Sequence, residues 1–208
     1  MQSLENAILK MLDMETGERA IHAFLKKHPI LVINSFSTAW NANLCESEFP
    51  LGNTWRADFL VLSANSGQWF ATFIELETPK SRLYLNNGTP SKTLRIAQRQ
   101  INDWKDWIQN HDSYIREQFS TILRKTSTGA QCGSASHEKA ETEILDLKTV
   151  IGYRFHIVIG RRKSLAVEEQ YRRSRESEFW GGPEIATYDR LVDTARRLDI
   201  YQREIPKF

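Results

Sequence analysis

Asp58, Glu75, Glu77 and Gln100 are the side chains whose type and spacing could do chemistry. The segment "FATFIELETPKSR", residues 70–82, starts as an apolar strand and ends in two acids two residues apart. Pro79 then stops it, and Lys80 and Arg82 follow at once. Side chains alternate along a strand, so Trp69, Ala71, Phe73, Glu75 and Glu77 share one face. Upstream, "WRADFLVL" is a second apolar strand carrying Asp58, and "SANSG" between the two supplies a turn. A hairpin turning in "ANSG" sets Asp58 across from Glu75. Like charges directly opposed cost a sheet up to about 1 kcal/mol, and more in a cleft. A hard divalent cation, Mg²⁺ or Mn²⁺, between the carboxylates reverses that sign. The competing reading is an exposed strand end, with Glu75 and Glu77 paired to Lys80 or Arg82.

Further along, "TLRIAQRQINDWKDWI" places Ala97, Ile101, Trp104 and Ile108 on one helical stripe, with Gln100 on the same side. An inward glutamine needs a partner for its amide. A site carboxylate, a water, a phosphate or a backbone carbonyl would each serve. Lys92, Arg95 and Arg99 recur at helical spacing on another side and could meet a phosphate backbone. Glu48 in "SEFPLG" is a further acid, either approaching the site from the preceding strand or facing solvent.

The elements that must position these groups read as follows. Two N-terminal helices occupy residues 1–28, and Pro29 follows the end of the second. An irregular strand in "AWNANLCESEFPLG" precedes the hairpin. Thr89 and Pro90 have the types of an N-cap and first helical residue for a helix over about 91–110. "SYIREQFSTILRK" is a second amphipathic helix. Residues 126–143, rich in Ser, Thr, Gly, Ala and Glu, read as a mobile loop. "VIGYRFHIVIG" is a buried strand, "SLAVEEQYRRSRESEF" a helix, "EIATY" a short strand and "YDRLVDTARRLDIY" a last helix. Helices that precede, interrupt and follow a small sheet place the chain in the α/β or α+β class.

The 208 residues suit a single domain spanning 1–208. No apolar run is long enough for a membrane span, and no signal-peptide core opens the chain. Cys45 and Cys132 form neither a disulfide framework nor a zinc set, as expected of reduced thiols in a cytoplasmic protein. The net charge of +2 announces no partner, but basic residues concentrate in "IGRRKS", "YRRSRES" and "SKTLRIAQRQ". No Gly-x-Ser-x-Gly and no Walker loop occurs. The five histidines lack paired metal spacing, and His156 reads as a core residue.

An Asp, a hairpin, Glu-x-Glu at a strand end and a helix with Gln-x-x-x-Trp together resemble the PD-(D/E)xK nuclease core. The closer resemblance is to the C-terminal domain of the Shedu anti-phage defence nucleases. "FLKKHPILV", "SEFPLG", "RADFLVL", "IELETP", "AQRQINDWKDWI", "HIVIGRR" and "IATYDRL" occur in the order that domain shows, over about residues 17–200. The resemblance implies an α/β restriction-endonuclease-like fold, a small mixed central sheet flanked by helices. It implies a metal-dependent DNA endonuclease with Mg²⁺ or Mn²⁺, DNA as substrate and a homo-oligomeric assembly. Asp58 and Glu75 then hold metal with Gln100 in support; for DNA contact the expected residues are Lys92, Arg95 and Arg99, from their helical spacing, and Arg82. One departure stands out: Glu77 occupies the place usually held by lysine. It could serve as a third ligand, with Lys80 supplying the missing positive charge. The alternative is an inactive nuclease fold that binds DNA or a partner subunit.

Overall fold

The computed structural model describes residues 3–14, 17–37, 39, 41–65, 67–126, 137–179 and 182–204. Three helices come first: α1 (Leu4–Asp13), α2 (Glu18–Lys27) and α3 (Pro29–Phe36). Strands β1 (Asn41–Leu51), β2 (Trp55–Asn65) and β3 (Gln68–Leu76) follow. Helices α4 (Lys92–Asn110), α5 (Asp112–Thr126) and α6 (His137–Leu145) lead to β4 (Val150–Val158). A 3-10 turn over Arg162–Ser164, α7 (Val167–Phe179), β5 (Glu184–Ala186) and α8 (Asp189–Glu204) complete the order.

The five strands form one sheet in the order β1-β2-β3-β4-β5. β1, β2 and β3 are antiparallel neighbours. Beyond β3 the direction changes. The Glu77 N–H donates to the Val158 carbonyl at 2.8 Å, and the Gly160 N–H to the Thr78 carbonyl at 3.4 Å. Residue numbers rise together along both segments, which makes that pairing parallel. The Ile159 N–H to the Ala186 carbonyl and the Tyr188 N–H to the Gly160 carbonyl rise together in the same way. The sheet is therefore mixed, and with its flanking helices it is the α/β class expected, consistent with a restriction-endonuclease-like core.

By its internal contacts the chain divides into two compact units, each discontinuous in sequence. The first comprises Met1–Ser35, Leu76–Ala97 and Ile157–Phe208. Within it, Ile8 and Leu12 of α1 and Ile21 and Leu25 of α2 are buried one helical turn apart. Asp199 of α8 caps α1. Its carboxylate accepts from the Ser3 hydroxyl at 2.7 Å and from the Leu4 and Glu5 N–H groups at 3.0 and 2.9 Å. These amides begin the helix and have no intrahelical acceptor, so an acid there satisfies them and complements the helix dipole.

The second unit comprises Phe36–Glu75 and Gln98–His156. Its core centres on Phe73 of β3. The rings of Phe49, Trp104, Phe119, Tyr153 and Phe155 lie 5.9, 6.4, 6.4, 6.5 and 5.5 Å from it, centroid to centroid. Offset and tilted aromatic pairs of this kind add to the area they bury. Between β1 and β2, Gly52 has φ +64°, and a Cβ there would meet the Trp107 ring at 3.1 Å. The position needs glycine for both its conformation and its space.

Three local expectations change. Pro29 does not merely follow a helix; it opens α3. Proline lacks only an N–H that a first helical residue leaves unused, and the Leu31 N–H returns to the His28 carbonyl at 2.9 Å. Ser91, not Thr89, caps α4, its hydroxyl accepting from the Leu94 N–H at 3.2 Å. Thr89 is taken by a tight loop. Its hydroxyl donates to Asn87 Oδ1 at 2.8 Å, its carbonyl accepts from the Leu85 N–H at 2.8 Å, and Tyr84 bridges to Pro90. Of the expected loop over 126–143, residues 127–136 lie outside the described residues, while 137–143 belong to α6. That helix is amphipathic enough to bury Ala140 and Ile144. Arg116 of α5 holds its end. The guanidinium reaches the carbonyls of Ile144, Asp146 and Thr149 at 3.1, 3.0 and 3.1 Å, and Asp112 at 2.7 Å.

Candidate functional site

β2 and β3 pair in the register the turn implied, from Asn65↔Gln68 to Phe59↔Ile74. One residue beyond the last pair, that register sets Asp58 opposite Glu75. Opposed residues of an antiparallel pair share a face. For Glu75 the face is that of Phe73, whose ring packs on Trp104 of α4. Trp104 shares its helix with the buried Ile101 and Ile108, each of the three no more than 2 % exposed. Gln100 is carried on that helix, and its Nε2 donates to Glu75 Oε1 at 2.8 Å. Of the partners open to the glutamine, the structure therefore supplies the carboxylate. Glu75, Asp58 and Gln100 are all half-buried, so water reaches them while the aromatic cluster excludes it on the inner side.

The donor set suits a hard cation. Gln100 donates to one oxygen of Glu75 through a neutral amide, which orients the carboxylate. Carboxylate oxygen is the donor type that Mg²⁺ or Mn²⁺ takes, and Mg²⁺ commonly uses one or two carboxylates with waters and substrate phosphate completing its shell. Among the described residues, no group of three His, Cys, Asp or Glu side chains is close enough to hold a metal ion. Of the expected trio Asp58, Glu75 and Glu77, the register opposes the first two on β2 and β3. Glu77 lies past the end of β3. Its N–H is committed to Val158 and its carbonyl accepts from the Tyr188 hydroxyl at 2.7 Å.

Lys80, expected to replace the missing lysine, belongs to the first unit. It is exposed and lines a cavity of about 270 Å³ with Asp13, Arg161 and Lys163. Lys92, Arg95 and Arg99 are exposed on α4, and Arg82 is exposed with its Nη1 3.5 Å from Asn86 Oδ1. Glu48 of β1 is exposed and has φ +57°, the left-handed region that a non-glycine residue seldom occupies. His156 is a core residue, 4 % exposed with its ring 5.1 Å from that of Phe36.

Sequence reasoning missed two features. Lys105 places its ammonium 5.3 Å from the centre of the Phe155 ring, and burial lowers its pKa. Its place on α4, next to Trp104, was the available signal. In the first unit, arginines from "IGRRKS", "YRRSRES" and α8 converge on one cavity. The clusters were visible, but not their convergence.

Among the described residues no helix is long and apolar enough to cross a membrane. No curated protein matches the chain. A family model described as Shedu protein SduA, C-terminal, matches residues 15–192, most of the length, and the chain belongs to that family.

Proposed function

We propose that this chain is a Mg²⁺- or Mn²⁺-dependent DNA endonuclease that hydrolyses phosphodiester bonds. Membership in the family implies a role in anti-phage defence. The observation that carries the reading is the hydrogen bond from Gln100 to Glu75, on a strand whose register sets Asp58 opposite. A purely structural strand end has no need of an inward amide on one of two facing acids.

In this reading Asp58 and Glu75 would hold the cation. When bound, it would lower the pKa of a water and polarise a phosphoryl oxygen. Gln100 keeps the Glu75 carboxylate in one rotamer, so little reorganisation is needed as charge develops. Ile101 and Trp104, buried beside Gln100, keep bulk water from the inner side of the pair. Lys92, Arg95, Arg99 and Arg82 contact phosphates and position the strand without reading its sequence. A homo-oligomeric assembly belongs to the same proposal, and light scattering tests it.

A second reading is favoured by one residue. Glu77 stands where the family pattern usually has lysine, and an acid there cannot supply that positive charge. The chain would then bind DNA or a partner without cutting. Purified protein incubated with plasmid in Mg²⁺ and in Mn²⁺ separates the two. Nicking that Asp58→Ala abolishes supports the enzyme; binding with no nicking in either metal supports the second reading.

A further inference from the structure

The basic motifs "IGRRKS" and "YRRSRES" have no place in the site on β2 and β3. In the first unit they meet α8 around a cavity of about 520 Å³, lined by Arg162, Arg173, Arg190, Arg196, Arg197 and a single acid, Asp193. Gly160 lets this happen. It has φ +65°, and a Cβ there would fall 2.6 Å from the Ser81 carbonyl, so only glycine turns the chain from β4 into the two arginines. Asp189 then holds the turn, accepting from the Arg162 N–H at 2.5 Å and from Arg161 Nη2 at 3.2 Å.

Several of these bases are in ion pairs. Asp193 is shared, 2.6 Å from Arg162 and 3.9 Å from Arg196. Glu5 reaches Arg196 at 2.8 Å, and Glu184 pairs with Arg190. Arg197 Nη2 donates to the neutral Thr194 hydroxyl at 3.1 Å. Among the described residues that line the cavity, five guanidiniums stand with one carboxylate, that of Asp193. Burial, with Arg190 and Arg162 close by, pushes the Arg173 pKa down. Like charge crowded into a concavity is costly unless an anion enters it. A solvated basic face would spread its charges over a convex surface; here they converge from three chain segments on a space of nucleotide size.

We propose that this arginine-lined cavity binds the pyrophosphate group of a phosphate-bearing ligand, such as a nucleoside di- or triphosphate. Guanidiniums offer planar pairs of donors that match phosphate oxygens two at a time. Two adjacent phosphates can engage arginines from the 3-10 turn, α7 and α8 together. A single phosphate spans fewer of them. The proposal stands apart from the nuclease reading, since none of these residues belongs to the pair on β2 and β3.

The test is calorimetric titration of the full chain with inorganic pyrophosphate in EDTA, which removes divalent cations. One saturable site is expected, tighter than for orthophosphate and weakened by salt. Arg173→Gln and Arg197→Gln, each checked for an unchanged melting temperature, should weaken it tenfold or more. Arg173→Lys, which keeps the charge but loses the fork, should weaken it less than Arg173→Gln. Asp58→Ala should leave it unaltered, so a failure here is distinguishable from failure of the nuclease reading. Displacement of pyrophosphate by ADP but not by a DNA oligonucleotide identifies the source as a free nucleotide; displacement by the oligonucleotide identifies a nucleic-acid strand. No saturable binding, or binding indifferent to both glutamine variants, overturns the proposal.

Discussion

On β2 and β3 a carboxylate faces a carboxylate and a neutral amide donates to one of them; around the cavity walled by α7 and α8, five arginines gather beside Asp193. Both arrangements concentrate charge of one sign, and under the two proposals a ligand of the opposite sign would offset it. They differ in construction. The acids are set by a strand register and one helix laid over a packed aromatic core. The arginines come from a turn and two helices, and several of them are in ion pairs. Rigid pairing suits a small hard cation, whose ligands must be placed closely. Long side chains on several elements suit an extended anion, which tolerates looser placement.

Removing Glu75 should break the first region most sharply. Glu75→Ala should reduce nicking about a thousandfold, on the order of 4 kcal/mol, while the melting temperature holds, because a facing like charge has gone. A variant that unfolds instead would show the acid to be structural. Next in size is the support of the same unit. Arg116→Ala takes one donor from each of three carbonyls, of which that of Asp146 keeps the Thr149 N–H, and should cost about 3 kcal/mol in denaturant unfolding. A loss within measurement error would mean that α6 is not held by this residue.

In the first unit the corresponding change is smaller. Asp199→Ala removes the acceptor of the Leu4 and Glu5 N–H groups, while the Ser3 hydroxyl still accepts from Asn6, and should cost about 1–2 kcal/mol by the same measurement. Gln100→Ala should slow nicking about tenfold, near 1.4 kcal/mol, and raise the metal concentration needed for half-maximal rate. An unchanged metal dependence would remove Gln100 from the site. The smallest effect concerns pH. Burial pushes the Asp189 carboxyl up, but the Arg162 N–H and the Arg161 and Arg162 guanidiniums outweigh it and hold its pKa below the usual value. A depressed folded-state pKa contributes stability above the unfolded carboxylate value, about 3.9, and that stability is lost as pH falls through the folded value. Asp189→Asn should therefore flatten the acid limb of stability against pH, and an unaltered limb would contradict the assignment.

The contrast also explains what could be read in advance. Alternation along "FATFIELE" and a turn in "ANSG" fix faces and register by local geometry, so the placement of Asp58 against Glu75 was legible. The stripe through Ile101 and Trp104 likewise put Gln100 on the inner side of α4, though four kinds of partner remained open to it until the structure placed Glu75 at 2.8 Å. Thr89 had the right type for a cap, but a loop closed by Gly88 at φ +78° claimed its hydroxyl first. Composition made residues 126–143 look unstructured, yet α6 forms over 137–145, where Arg116 binds its last carbonyls. The arginine cavity was the least legible feature, because Arg162, Arg173 and Arg197 are joined by folding and not by any period in the chain.

The central claim is that Asp58 and Glu75 form a cation site, and Mn²⁺ titration followed by electron paramagnetic resonance tests it most directly. The account predicts saturable loss of the free Mn²⁺ signal with the native chain, competed by Mg²⁺, and strong weakening in Asp58→Asn and in Glu75→Gln. Equal Mn²⁺ binding by native and substituted chains, or none by the native chain, would contradict it.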